Sequence, residues 1–299
     1  MKKFFALTLL TLLYVGSAEA QLLYKISGNG LKKESYIIGT YHLAPASFVD
    51  SIVGAREALE SVDAVCGELD MSALDGDAQL VLNEAMMLPD GEYITDILTE
   101  DQLTRLNAYM LEVLGMDFNK PMCKRMLGRY RPSALAMNLE VAAFSKITPD
   151  FNPLKLIDNY FQQEAQKMGK KVLGLETVEA QIEVLFGASS IDEEIVALME
   201  MVDNPEATHE AMMKLADAYF AQDFKAISKC VTADLGDSVE DTEEWERICV
   251  NRNYNWIAQM PALMEEQPTL FVVGAAHLVG KDGVLTLLKR EGYKVKAVK

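Results

Sequence analysis

Tyr36-Ile37-Ile38-Gly39-Thr40-Tyr41-His42-Leu43 and Leu270-Phe271-Val272-Val273-Gly274-Ala275-Ala276-His277-Leu278 stand near opposite ends of the chain and share one plan. In each, a short apolar run suited to a buried strand ends at a glycine. A histidine follows three residues later, with a leucine after it. The chain has 3 histidines in 299 residues, so two in the same frame are hard to ascribe to packing alone. Taken singly, a strand-end histidine is more often a capping or packing group; the repetition favours a shared task. Two imidazoles delivered from distant strand exits are what a divalent-metal site needs.

Working outward, residues 22–27 and 35–39 read as strands of a hairpin turning at Gly28-Asn29-Gly30. After His42 comes a loop with Pro45, a helix over about 50–61, and the strand Val62-Asp63-Ala64-Val65-Cys66, which ends at Gly67-Glu68-Leu69-Asp70. The second copy repeats this plan, with a helix over about 281–291, Gly292 at the position of a C-terminal cap, and a strand over 293–298. Between the copies, segments 80–87, 99–114, 120–144, 153–168, 177–186, 191–201, 207–221 and 245–260 carry apolar residues at helical spacing. Arg131-Pro132 divides or kinks the third of these. One strand interrupts the helices, Lys171-Val172-Leu173-Gly174-Leu175, ending at Glu176. The fold expected is α+β: a small mixed β-sheet core built from two strand–GxxH–helix–strand units, with a large helical insertion at about 75–265.

The first 20 residues have the form of a signal peptide: a basic start at Lys2-Lys3, an apolar stretch from Phe4 to Val15, and a small-x-small site at Ala18-Glu19-Ala20. Cleavage before Gln21 would release residues 21–299 as one domain into a secreted or periplasmic space, with no membrane span in the mature chain. A net charge of −17 argues against nucleic acid and anionic membranes as partners. Cys66, Cys123, Cys230 and Cys249 form no Cys-x-x-Cys pair, which removes zinc-ribbon and thioredoxin readings. In an oxidising compartment they would allow two disulfides, with Cys230–Cys249 the nearest local pair; buried free thiols are the competing reading.

Four apolar segments thus end in a potential ligand: His42, Glu68, Glu176 and His277. Ligands in α/β architectures gather beyond the carboxyl ends of strands, so parallel strands in one sheet would bring these groups together. Imidazole plus carboxylate suits a divalent transition ion, whose bound water a spare carboxylate can deprotonate. Glu68 and Asp70 also fit a helix-start acid reading, preferred for Asp70, and Glu176 fits it as well as it fits ligation. His209, in Ala207-Thr208-His209-Glu210 at a helix start, reads as solvent-facing and is left out of the site.

At these residues the sequence resembles the TraB/GumN family, which is related to the Tiki proteases and lies within the ChaN/erythromycin-esterase-like group. The matching phrases are the first GxxH, Gly67-Glu68-Leu69-Asp70, Gly169-Lys170-Lys171-Val172-Leu173-Gly174-Leu175-Glu176-Thr177, Arg252-Asn253 and Val273-Gly274-Ala275-Ala276-His277-Leu278. The resemblance implies an α+β fold and, for the Tiki branch, a metalloprotease preferring manganese or cobalt; the cofactor expected for this chain is a divalent ion (Mn, Co or Zn) and the substrate a peptide or protein. By position it implies His42 and His277 as metal ligands and Glu68 as ligand or catalytic base. Arg252 would be a substrate or transition-state anion partner and Asn253 a polar contact; Glu176 matches the family's Leu-Glu-Thr phrase, which assigns it no definite role, and it stands as a candidate metal ligand from its place at a strand end.

The function expected is therefore an exported metal-dependent hydrolase. The alternative is a non-catalytic protein that binds or sequesters a peptide, a metal or haem, for which helices rich in methionine (16 in all) are suited. A two-histidine, one-carboxylate iron oxygenase ranks below both. The serines lack a G-x-S-x-G frame and the acidic run 234–246 lacks EF-hand spacing, which disfavours a serine hydrolase and a calcium site.

Overall fold

In the computed structural model, which describes residues 21–148, 151–233 and 243–299, six strands form one sheet. They are β1 (Leu23–Ser27), β2 (Ser35–Thr40), β3 (Ala64–Gly67), β4 (Lys171–Gly174), β5 (Thr269–Gly274) and β6 (Lys294–Ala297). The expectations for residues 1–20, and for most of the acidic run 234–246, lie outside the described residues. Across the sheet the order is β4-β3-β5-β2-β1-β6. β1 and β2 pair antiparallel around the turn at Gly28-Asn29-Gly30, whose residues take φ of 82°, 48° and 82°. β6 runs antiparallel to β1 on the outer side. The remaining neighbours, β2 with β5, β5 with β3 and β3 with β4, are parallel. The fold is α+β with a mixed sheet, and β2 and β5, 234 residues apart at the pair Tyr36–Leu270, lie side by side with Thr40 opposite Gly274.

Because side chains alternate across a strand, adjacent residues of the central strands serve different layers. Ile38, Val65, Leu270 and Val272 pack with Leu59, Phe161 and Tyr219. Ile37, Cys66, Phe271 and Val273 pack with Trp256, Leu287 and Leu288. Both faces being covered, these strands carry unbroken apolar runs rather than polar alternation. Each large side chain so buried contributes about 1.5–3 kcal/mol, which fixes the strand ends. A third cluster, including Leu106, Met110, Leu135, Leu139 and Leu198, lies among the helices Glu100–Leu114, Pro132–Ile147 and Ile191–Asp203. The helical stretch between β3 and β5 thus has a core of its own, interrupted by β4.

Several elements depart from the sequence reading for local reasons. The helix expected over 50–61 is a 3-10 turn (Ala46–Ser51) and an α-helix (Ala55–Ser61), separated at Gly54 with φ of 78°. The stretch 245–260 begins with a short α-helical segment, Glu243–Trp245, then continues as a π-turn (Glu246–Val250), the helix Asn251–Ile257 and a further helix, Met260–Glu266, with Pro261 in its first turn. Pro132 opens its own helix, as its missing N–H permits. All four cysteines are free. The expected Cys230–Cys249 bridge is absent because the two thiols pack on different neighbours: Cys230 lies against the layer of Leu59 and Tyr219, whereas Cys249 Sγ is 3.7 Å from His277 Nδ1. His209 is half-buried rather than solvent-facing, and its Nε2 has no hydrogen-bond partner among the described residues. No described helix is long and apolar enough to cross a membrane.

Candidate active site

β2, β3, β4 and β5 end at Thr40, Gly67, Gly174 and Gly274, and their parallel pairing sends His42, Glu68, Glu176 and His277 out at one edge of the sheet. Gly274 is the centre of this edge. Its N–H donates to Glu68 Oε1 at 2.8 Å. A Cβ placed on it would stand 3.4 Å from Glu68 Oε1, 3.6 Å from His277 Cδ2 and 3.8 Å from His42 Nε2. Two imidazoles and one carboxylate, drawn from three strand ends, therefore face one small space.

Arg252, on the helix Asn251–Ile257, reaches the same groups from the helical side. Its Nη2 donates to Glu68 Oε2 at 2.6 Å and to Glu176 Oε2 at 3.0 Å. Its Nε donates to Glu176 Oε1 at 2.7 Å, and its Nη1 lies 3.1 Å from His277 Nε2 and donates to the Ile248 carbonyl at 3.1 Å. Arginine has only donors, so His277 Nε2 is the acceptor and the ring proton belongs on Nδ1. That proton is accepted by Asn253 Oδ1 at 2.8 Å, while Asn253 Nδ2 donates to the carbonyls of His277 and Asp282. Trp256, one turn beyond Arg252, lies under the guanidinium at 5.0 Å, packs against the His277 ring at 4.3 Å between centroids, and donates Nε1–H to Glu176 Oε1 at 2.8 Å.

His42 is held differently. Its Nδ1 lies 3.3 Å from Asp158 Oδ2, and Asp158 Oδ1 accepts from Thr40 Oγ1 at 2.5 Å. Its side chain is 71 % exposed, whereas His277 as a residue is 5 % exposed. Burial, followed by the positive charges of Arg252 and His42, drives His277 down to about 3 against the pull of Glu68. The hydrogen bond to Asp158 and that carboxylate's charge raise His42 to about 9; its exposure means solvent screens much of this pairing. For Glu68, burial alone would raise the pKa, but the facing His277, His42 and Arg252 and the Gly274 N–H together hold it at about 2. With His277 neutral at pH 7, the positive charge facing Glu68 there comes from Arg252 and His42. Arg252 stays charged because Glu176 and Glu68 outweigh its burial.

The ligand set expected from sequence is not assembled as such. Among the described residues no group of three or more His, Cys, Asp or Glu is placed to hold a metal ion. Arg252 takes the lone pair of His277 Nε2 and bonds one oxygen of Glu68, while the Gly274 N–H bonds the other. Both oxygens of Glu176 are bonded by Arg252 and one also by Trp256. Asp70 caps its own loop, accepting from Ser72 N–H and Oγ–H. Two participants had escaped the sequence reading. Asp158 is an unremarked acid in the first turn of the helix Ile157–Lys167; Trp256 stands four residues after Arg252, a helical spacing that places both on one face.

Parallel strand ends carrying two histidines, a carboxylate and a buried arginine define a polar centre on an α+β scaffold. The family model described as the TraB/PrgY/gumN family matches residues 22–297, and the chain belongs to that family. It is 26 % identical over 301 residues to "Metalloprotease TIKI1" of Homo sapiens, covering 87 % of this chain and 59 % of the relative. The corresponding protein of Danio rerio is 25 % identical over 87 % of this chain and 60 % of its own length. "Metalloprotease TIKI homolog" of Amphimedon queenslandica is 22 % identical over 87 % of this chain and 58 % of its own. The chain thus spans about three fifths of the length of these relatives. No solved structure matches it significantly.

Proposed function

We propose that the chain is a hydrolase of the metalloprotease type that cleaves peptide bonds at the strand edge around Gly274. The observation that carries this reading is the convergence of His42, Glu68 and His277 on that glycine beside a buried arginine, in a chain whose relatives are named metalloproteases. His42 and His277, with Glu68, are the donors that a Mn, Co or Zn ion would draw on; bound there, such an ion supplies a polarised carbonyl and an activated water. Arg252, whose N–H groups are engaged by Glu176, Glu68, His277 and the Ile248 carbonyl, would stabilise negative charge developing on a scissile carbonyl oxygen once it turns a donor from these partners, and a donor so aimed is worth about 10²–10³ in rate. Asn253 fixes the tautomer that leaves His277 Nε2 as an acceptor. Glu68 is a carboxylate locked at both oxygens, and Glu176 orients Arg252. Export through the signal-peptide segment places the activity in a secreted or periplasmic space.

The test is metal analysis of residues 21–299 after incubation with Mn²⁺, Co²⁺ and Zn²⁺, beside the His42→Ala/His277→Ala double variant, followed by a peptide-library cleavage screen. About one ion per chain is expected in the wild type and none in the variant; equal metal content in both refutes the site. The second reading, a non-catalytic binding protein, is favoured by the contacts with which Arg252 already engages the donors. Peptide binding without cleavage under every ion would establish it, and a Soret band on reconstitution would mark its haem-binding version.

A further inference from the structure

We propose that Arg252 gates this site: its guanidinium must leave His277 and Glu68, pivoting on its ion pair with Glu176, before a divalent cation can be held between the histidines. The proposal rests on the metal-hydrolase reading given above. Its basis is direct competition for the same atoms. Arg252 Nη1 occupies the only free lone pair of the His277 ring, at 3.1 Å, since Nδ1 is committed to Asn253. Arg252 Nη2 occupies Glu68 Oε2 at 2.6 Å. A guanidinium is permanently charged and has no lone pair to offer a cation, so the two cannot share the single lone pair of His277 Nε2, and a cation drawn to Glu68 would meet the guanidinium's positive charge beside it.

The side chain is also built to swing rather than to depart. Its Nε, nearest the backbone, is fastened to Glu176 Oε1 at 2.7 Å, and Glu176 is itself braced by Trp256 Nε1–H. The end that touches the donors is the far end, whose Nη2 also bonds Glu176 Oε2 at 3.0 Å and whose Nη1 also bonds the Ile248 carbonyl at 3.1 Å. Moving it gives up those two bonds as well but keeps Nε on Glu176 Oε1, so the charge stays paired and the large cost of stranding a buried ion is avoided. While the closed arrangement dominates, the apparent affinity for metal is reduced by the fraction of molecules that are open. The site therefore carries a built-in bias against weakly held ions.

The experiment is calorimetric titration of the full chain with Co²⁺ and Mn²⁺ for wild type, Arg252→Gln and Arg252→Lys, each checked for folding by circular dichroism. In a Trp245→Phe background, Trp256 emission then reports whether the guanidinium leaves the ring. Both variants are expected to bind Co²⁺ about 10-fold tighter or more, and wild-type Trp256 emission to change on binding. Lysine keeps the positive charge but cannot span Glu176, Glu68 and His277 at once, so it separates competition for atoms from a mere field effect. Tighter binding by Arg252→Gln with Arg252→Lys at the wild-type value overturns the gate, as does wild-type affinity in both; either leaves the metal site standing. Absence of Co²⁺ and Mn²⁺ binding in all three removes the metal reading and the gate with it. If Arg252→Gln fails to fold, Arg252→Lys alone decides.

Discussion

Gly274→Ala separates the function of the strand edge from its stability. Gly274 has φ −55° and ψ 138°, a conformation open to alanine. The added methyl would meet its nearest atoms at 3.4, 3.6 and 3.8 Å, which are ordinary contact distances. Its N–H would still reach Glu68. Reduced freedom of the unfolded chain then stabilises the protein by about 0.4–1 kcal/mol, a rise of about 1–3 °C in Tm. The three atoms it meets, however, belong to Glu68, His277 and His42, so the methyl fills the space on which they converge. Cleavage should fall about 100-fold or more, as misplacement at a reacting centre does, and Co²⁺ binding should be lost. Gly39→Ala, in the equivalent frame of the first motif, is the control. There the methyl would stand 2.9 Å from Leu278 Cδ1 and 3.1 Å from Ala275 Cα and Cβ, an overpacking that costs about 1–3 kcal/mol. Urea unfolding, calorimetry and a peptide assay on both variants decide the matter. A Gly274→Ala protein that binds metal and cleaves like wild type, or that is destabilised as much as Gly39→Ala, refutes the convergence argument.

Two further outcomes follow from the buried thiols. Burial raises Cys66 to about 12, and the residue is fully shielded from solvent. A folded pKa above the unfolded one means the stabilisation is complete below the unfolded thiol's pKa and is lost as pH rises toward 12, amounting to about 3 kcal/mol by pH 11. Urea midpoints at pH 8 and pH 11 should show this loss in wild type and a smaller one in Cys66→Ala; identical losses would contradict it. Since all four cysteines are free, adding a reductant should leave Tm unchanged, and a thiol-reactive chromophore should count four thiols after unfolding without reduction. A Tm that falls by several degrees on reduction would instead restore the Cys230–Cys249 bridge.

The sheet was legible because its central strands are buried on both faces and so announce themselves as apolar runs, each punctuated by glycine. The repeated frame made His42 and His277 partners, and their strands do lie side by side in parallel register. What could not be read was the distribution of the polar contacts. Arg252 was assigned to a future substrate, yet it is Glu176, Glu68 and His277 that it bonds; which acids a helical arginine meets depends on how its helix packs, and spacing along the chain does not encode that. Asp158 arrives from a helix with no motif at all, and the cysteine pair was inferred from proximity in sequence, which packing overrode. The same gap hid a difference between the twin motifs. His42 is exposed and leans on a carboxylate, while His277 is buried, leans on a neutral amide and faces an arginine. A repeated frame has thus been given two physical states. The exposed histidine lies on the solvent side of the centre, and the buried one is contacted by Arg252 and Trp256. On the hydrolase reading proposed above, the two histidines, equivalent in sequence, would take unequal parts: His42 is open to solvent, whereas His277 Nε2 is offered to a ligand only when Arg252 moves off it.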